Sequence, residues 1–171
     1  DFYAFGTDQG LITVLDLSID FKLWDKSIGG AITDIDFNGD AKYLVAGSTN
    51  KKLVLANTSN GDELWRTTVF GDINSVALSY RGENIAVGTD AGLALYYERQ
   101  LDNQVPIAII EAKDNNHNVG DGIQQALEYS EILDIPFVFT SNGDSFLFHD
   151  KTLSSGELEK EISLDDFTKL A

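Results

Sequence analysis

FGTDQGLITVLD (residues 5–16), AGSTNKKLVLAN (46–57) and VGTDAGLALYYE (87–98) state one pattern three times, with Gly6, Gly47 and Gly88 at a spacing of 41 residues. Each copy is a short apolar strand end, a polar turn and a second strand. Trp24 and Trp65, in FKLW and DELW, keep the same spacing of 41. ITDIDFNGDAKYLVAG (32–47) and INSVALSYRGENIAVG (73–88) align without a gap. Self-similarity at a fixed period means one supersecondary unit used repeatedly, each copy burying a face that it cannot bury alone.

Working outward from these stretches, alternation of apolar and polar residues and the intervening turn chemistry place the strands. Ile32, Ile35 and Phe37 are the apolar positions of a strand over 32–37, and Asn38-Gly39-Asp40 turns it. Further strands are expected at 2–7, 11–17, 20–25, 42–48, 52–57, 62–68, 73–79, 83–89 and 92–98. A period near forty built from short strands and polar turns resembles WD40-like or pyrroloquinoline-quinone-type β-propeller blades. The strands amount to two and a half four-stranded blades over 1–98. A closed propeller takes about four blades or more, so this part is not expected to close alone. Its open edges are expected to be covered by the rest of the chain or by a second copy, which would make a homo-oligomer.

After residue 98 the period fails. Position 106, where a third tryptophan would fall, is Pro106, and position 129, where a fourth glycine would fall, is Tyr129. VPIAIIEAK (105–113) reads as a central strand buried on both faces. Asn118, with Asp121 three residues on, is expected to cap a helix over 119–133 whose buried side carries Ile123, Ala126, Leu127 and Leu133. Asp134-Ile135-Pro136 stops that helix, FVFTSN (137–142) is a strand, and Asn142-Gly143 turns into SFLFHD (145–150). The connection Arg99–Gln104 is expected to be a loop, with 83–89, 92–98 and 105–112 consecutive antiparallel strands of one sheet.

PIAIIEAKDNNHNVGDGIQQALEYSEILDIPFVFTSNGDSFLFHDKT and the trailing EISLDDF resemble the nuclease segment of the R subunit of type I restriction–modification enzymes, over about residues 96–171. The resemblance implies a PD-(D/E)xK nuclease fold and Mg²⁺-dependent hydrolysis of DNA phosphodiesters. It assigns Glu111 and Lys113 to the E-x-K on the central strand, and Gln125 and Tyr129 to the Q-x-x-x-Y on the next helix. Glu111 would then hold the metal, since a carboxylate oxygen is a hard ligand suited to Mg²⁺. Lys113, on the same strand face, would position the attacking water or offset charge. Gln125 and Tyr129, four apart on one helical face, would orient the site or contact the substrate backbone. One element departs from the family pattern. The second metal-binding Asp is expected at the position of Gly92, and Asp90, two residues away, lies about 6–7 Å along the strand. The family's leading helix and first strand are replaced by propeller-like sequence, and its motor is not in the chain.

The blander readings differ. A Glu and a Lys at a strand end more often form a cross-strand salt bridge, Gln125 and Tyr129 alone would be a surface amide and a half-buried ring, and His117 and His149 show no metal-ligand spacing. Composition bounds the rest. The 171 residues are 43% hydrophobic and 23% charged, an ordinary globular balance. No apolar run has membrane-spanning length, and no secretory signal is expected ahead of the first strand. Cysteine is absent, which excludes disulfides and thiolate metal sites and suits a cytoplasmic setting. Methionine is absent even at position 1, so a natural start is expected to be missing. The net charge of −16 opposes strong DNA binding, because affinity for nucleic acid comes largely from neutralising phosphates.

The expectation is therefore an α+β, β-rich chain, with incomplete propeller-like antiparallel blades over 1–98 joined to a partial nuclease-like αβ segment over 99–171. Three functions compete. One is an R-subunit nuclease fragment, inactive as this chain, with Mg²⁺ as cofactor and DNA as partner. The others are a recombined, non-enzymatic chimera and a propeller-type protein-interaction module.

Overall fold

At the first two repeats a glycine lies under an isoleucine, and the fold is most easily entered there. In the computed structural model, which describes residues 1–100 and 103–163, a Cβ on Gly6 would fall 2.3 Å from the Cβ of Ile32, and one on Gly47 would fall 2.4 Å from Cγ2 of Ile73. Neither glycine has positive φ, so close approach, not backbone conformation, excludes a side chain at both. Gly88 breaks the series, because a Cβ there would meet only the Ser75 hydroxyl, at 2.8 Å.

The described residues hold fourteen strands and one helix, and Cα packing divides them into two units. One comprises Asp1–Ala91 with Tyr97–Val105, the other Gly92–Tyr96 with Pro106–Ala171. In the first unit, β1 (Phe2–Gly6), β2 (Leu11–Asp16) and β3 (Phe21–Ser27) form a three-stranded sheet in chain order. β4 (Ile32–Phe37), β5 (Tyr43–Ser48), β6 (Lys52–Asn57) and β7 (Glu63–Thr68) form a four-stranded one, also in chain order. β8 (Ile73–Leu78) and β9 (Asn84–Thr89) begin a third, antiparallel with Val76 opposite Val87. β10 (Leu93–Gln100) is divided between the two units. No helix occurs before residue 98.

Packing in this unit repeats as the sequence does. Ile12 and Val14 of β2, Ile28, Leu44 and Ala46 of β5, and Val54 of β6 are buried together, with Ile32, Ile35 and Phe37 of β4 packed on them. Asp34 and Asp36 accept hydrogen bonds from the backbone N–H groups of Val76 (2.9 Å) and Leu78 (2.7 Å), stapling β4 to β8. Trp24 donates from Nε1 to the Thr58 carbonyl (2.7 Å), and Trp65 meets the edge of buried Tyr97 with ring centroids 5.2 Å apart. Burial pushes the Tyr97 hydroxyl's pKa up, because the phenolate would lose its water.

The second unit is built on β11 (Asn103–Ala112), α1 (Ile123–Leu133) and β12 (Phe137–Ser141), then β13 (Ser145–Asp150) and β14 (Glu159–Ser163). β11 and β12 are parallel, with Glu111 opposite Thr140, and α1 is the crossover between them. β12–β13 and β13–β14 are antiparallel. Three expectations are corrected. The helix begins at Ile123, not 119, and its N-cap is Gly122 without a side-chain cap bond. Asn118 does not cap it; the Asp121 carboxylate instead accepts the N–H of Asn118 (3.0 Å), which spends both residues on the preceding turn. The loop expected at 99–104 is largely strand, since β10 runs to Gln100 and β11 starts at Asn103; Leu101 and Asp102 lie outside the described residues, as does most of EISLDDF. β11 also buries one face more deeply than the other: Ile109 and Glu111 are fully covered while Ile110 is half-buried. Asp134, with φ of 54°, closes α1 in the left-handed region.

Candidate functional site

Parallel strands joined by a helix leave their carboxyl ends side by side, and there the chain places its most unusual side chain. Glu111, one residue from the end of β11, is 1% exposed. Its Oε1 accepts a hydrogen bond from Lys113 Nζ at 2.7 Å. Its Oε2 is buried and has no hydrogen-bond partner. An unpartnered buried carboxylate oxygen is costly, at about 1–3 kcal/mol or more, and native structures rarely keep one without use.

The surroundings fix that carboxylate. Lys113 is itself held by its N–H, which donates to the Ser141 carbonyl at the end of β12 (2.8 Å). Thr140, opposite Glu111, donates from its hydroxyl to the Val119 carbonyl, and Asn142 donates from Nδ2 to the His117 carbonyl at 3.2 Å. These bonds pin the 114–122 segment over the strand ends. Gly122 then passes so close that a Cβ would fall 2.7 Å from the Glu111 Cγ and 3.4 Å from the Lys113 Cε. Gly122 is the functional residue that sequence reading missed. Its signal was the Gly120-Asp121-Gly122 run ahead of the helix, which propensity alone reads as a turn.

The four residues expected from the resemblance are brought together. From Glu111 the chain of contacts runs through Lys113 Nζ to Gln125 Oε1, at a long 3.4 Å, and from Gln125 Nε2 to the Tyr129 hydroxyl at 3.2 Å. Gln125 and Tyr129 lie half-buried on one face of α1. Glu111 and Lys113 do form an ion pair, but along one strand rather than across strands, and it accounts for only one of the two carboxylate oxygens. His149 pairs across strands with Glu159 (3.1 Å), and His117 stands exposed beside Asp114 and Asp121.

Asp90, the alternative second carboxylate, makes its own bonds within the first unit. Its Oδ1 accepts the N–H of Asp72 (2.7 Å) and its own N–H bonds the Asp72 carbonyl (2.9 Å), so it is engaged in the β8–β9 end of the first unit. Gly92 occupies the place beside the strand end: its carbonyl accepts the Ala112 N–H (2.9 Å), and a Cβ there would meet only the Ala112 carbonyl oxygen, at 3.4 Å. Among the described residues no three His, Cys, Asp or Glu side chains are grouped to hold a metal. For Mg²⁺ the buried Oε2 of Glu111 is a suitable donor, but one carboxylate falls short of a dedicated site, as Mg²⁺ held this way leans on waters and substrate phosphates. Installing a second carboxylate by Gly92→Asp is expected to cost about 1 kcal/mol of stability, because φ at this position is 76° and Asp tolerates the left-handed region only moderately. The variant is also expected to strengthen Mg²⁺ binding. Calorimetric titration of both proteins checks the two effects together.

No protein-family model matches the chain. The type I restriction enzyme EcoAI endonuclease subunit of Escherichia coli is 58% identical over 78 residues, which cover 45% of this chain and 9% of that protein. The chain thus spans a small fraction of that relative's length. Among solved structures, the β-propeller domain of Cps50 (Swd1) from Myceliophteria thermophila superposes with a TM-score of 0.59 at 14% identity, over 95% of this chain and 54% of that one. A chain of the mitotic checkpoint complex gives 0.58 at 12% identity, over 87% and 44%. Identities this low establish fold alone. The fold is β-rich and propeller-like, and neither structure supports a nuclease-like αβ segment. No helix among the described residues is long and apolar enough to cross a membrane.

Proposed function

We propose that the second unit carries an incomplete form of the Mg²⁺-dependent DNA-cleaving site of type I restriction R subunits, and that this chain alone does not cut duplex DNA. The carrying observation is the Glu111 carboxylate, buried, with one oxygen on Lys113 and the other unpartnered. In this reading Glu111 is the metal ligand, Lys113 holds that ligand and faces the scissile phosphate, and Gln125 and Tyr129 fix Lys113 from the helix. The 58% identity to a restriction endonuclease subunit supports the kinship, and its 78 residues are similar in extent to the resemblance over about residues 96–171. Two features oppose turnover: glycine at position 92 and a net charge of −16 that repels the phosphate backbone.

The test is a titration with Mg²⁺ and Mn²⁺ followed by NMR at Glu111 and its neighbours, beside a plasmid-cleavage assay. Weak perturbation confined to Glu111, Lys113 and Ala112 is expected, together with uncut plasmid. Tight binding, or cleavage that Glu111→Ala removes, would overturn the incomplete-site reading. No perturbation at Glu111 even at high metal concentration would sink the metal role altogether.

A second reading rests on the first unit. Propeller-like sheets suit a protein-interaction module, and one structural neighbour is a chain of a multiprotein complex. The two readings are compatible, since they use different units. A recombined chimera without activity remains the third reading, and a chain indifferent to both metal and partner would favour it.

A further inference from the structure

Gly122 is the N-cap of α1, and it serves the helix poorly there. Its φ of −93° and ψ of −7° are open to any L-residue, and it makes no side-chain cap bond. Ser, Asp or Asn at an N-cap would accept a hydrogen bond from one of the free N–H groups of the first turn. Neither backbone conformation nor helix capping therefore asks for glycine. Close approach does. Gly122 is buried, and a Cβ on it would stand 2.7 Å from the Cγ of Glu111, 3.4 Å from its Cβ and 3.4 Å from the Cε of Lys113.

The backbone at this point cannot step back. Before it, the Val119 carbonyl is held by the Thr140 hydroxyl of β12, and the Gly120 carbonyl accepts the N–H of Ile123 at 3.1 Å. After it, the Gly122 carbonyl accepts the N–H of Ala126 at 3.0 Å, and Ala126 is fully buried. The Glu111 stem has little freedom either, since it rises from β11 into a site where its side chain is 1% exposed. The torsions of a glutamate side chain ordinarily let both oxygens turn toward donors or water. Here one oxygen is on Lys113 Nζ, while the buried Oε2 meets no donor.

We propose that Gly122 is a positioning residue for the Glu111–Lys113 pair. Its bare backbone lies against both stems, keeps Oε1 on Lys113, and holds the carboxylate in the arrangement that leaves Oε2 open to a divalent cation. A side chain at 122 would strike Glu111 Cγ and crowd Lys113 Cε, parting Oε1 from Nζ and turning Oε2 away. This role rests on the reading of Glu111 as a metal ligand. It gives to a glycine the support that a metal ligand ordinarily draws from hydrogen-bonded neighbours.

The test uses the whole chain carrying Gly122→Ala. Gly120→Ala is the control, because a Cβ on Gly120 would meet only Leu147 Cδ2, at an ordinary 3.5 Å. NMR follows two signals: the Overhauser contact between the Lys113 Cε and Glu111 Cγ protons, and the broadening of Glu111 resonances by Mn²⁺. In Gly122→Ala the contact is expected to vanish. The Mn²⁺ concentration needed for broadening should rise about 10–100-fold, as on loss of a residue that supports a metal ligand. Gly120→Ala should leave both signals as in the parent. A Gly122→Ala chain that keeps both, or a Gly120→Ala chain that loses them equally, overturns the proposal. If the parent itself shows no Mn²⁺ broadening, the metal reading of Glu111 fails, whereas the proton contact alone still decides whether Gly122 places the pair. Should Gly122→Ala fail to fold, Glu111→Ala is added to remove the struck Cγ. The double variant is expected to fold with a Tm no lower than that of Glu111→Ala alone, because the new methyl takes up part of the vacated space. A double variant that also fails to fold would mean that the turn itself demands glycine, and would sink the proposal.

Discussion

Gly47→Val is expected to destabilise the chain by about 3 kcal/mol, at the upper end of ordinary overpacking. Gly47 is buried, and its missing Cβ would lie 2.4 Å from Ile73 Cγ2 and 3.1 Å from Val76 Cγ1. Ile73 is itself 0% exposed and has nowhere to move. Valine otherwise suits a strand better than glycine, so a loss must come from the clash. Two controls separate the clash from any general effect. Gly88→Val, at the same repeat position, meets only the exposed Ser75 hydroxyl, which can rotate away, and should cost under about 1 kcal/mol. Gly39→Ala puts a Cβ 2.1 Å from the Tyr80 ring, but that ring is 78% exposed and can swing out, so the cost should again be small. Urea unfolding of the three variants checks the ranking. For a chain of this size about 3 kcal/mol corresponds to a fall in Tm of roughly 6–12 °C. Equal losses at Gly47 and Gly88 would show that the isoleucine contact is not the reason for the glycine.

Glu111→Met is expected to act in the opposite direction, raising stability by about 1–3 kcal/mol, as replacement of buried ionic groups by apolar ones of similar volume often does. The gain arises because one carboxylate oxygen is buried without a partner. Methionine is chosen because Gly122 lies directly against the Glu111 Cγ, leaving room for an unbranched chain but not for a branched one. Lys113, 29% exposed, keeps access to water and to Gln125 once its partner is gone. The same variant should lose any response to Mg²⁺. Glu111→Ala, which leaves a void, should instead lower stability. Thermal melts with and without Mg²⁺ test both halves. A Met variant less stable than the parent would mean that the Glu111–Lys113 pair outweighs the desolvation of the second oxygen.

The parts legible in the sequence are those decided locally or by repetition. Strand positions through β9 follow from alternation and turn residues, and the structure places them within a residue or two. The four candidate residues could be picked out only through resemblance, because nothing in an isolated Glu-x-Lys distinguishes a site from an ion pair. What local reading could not supply is tertiary. The helix starts four residues late because the 119–122 stretch serves the strand ends: Val119 bonds Thr140 and Gly122 abuts Glu111. Asn118 looked like a cap because capping chemistry is short-range, and the bond it makes is to Asp121 in the turn. The burial of Glu111 was equally hidden, since a charged residue near a strand end is ordinarily solvated.

The two glycine–isoleucine contacts carry a consequence for how such a chain can grow. Gly6 receives Ile32 and Gly47 receives Ile73 in the same way, so the surface that β5 presents to β8 is the surface that β1 presents to β4. A tandem duplication of residues 32–72 would therefore insert a further sheet whose first isoleucine meets Gly47 and whose own glycine meets Ile73. Both new junctions would reproduce existing ones, with no compensating substitution required. In-frame gain or loss of this segment is thus close to neutral for packing, whereas an insertion of any other length must break a junction. Past Gly88 that freedom ends, because Asp114 stands where the next isoleucine would be.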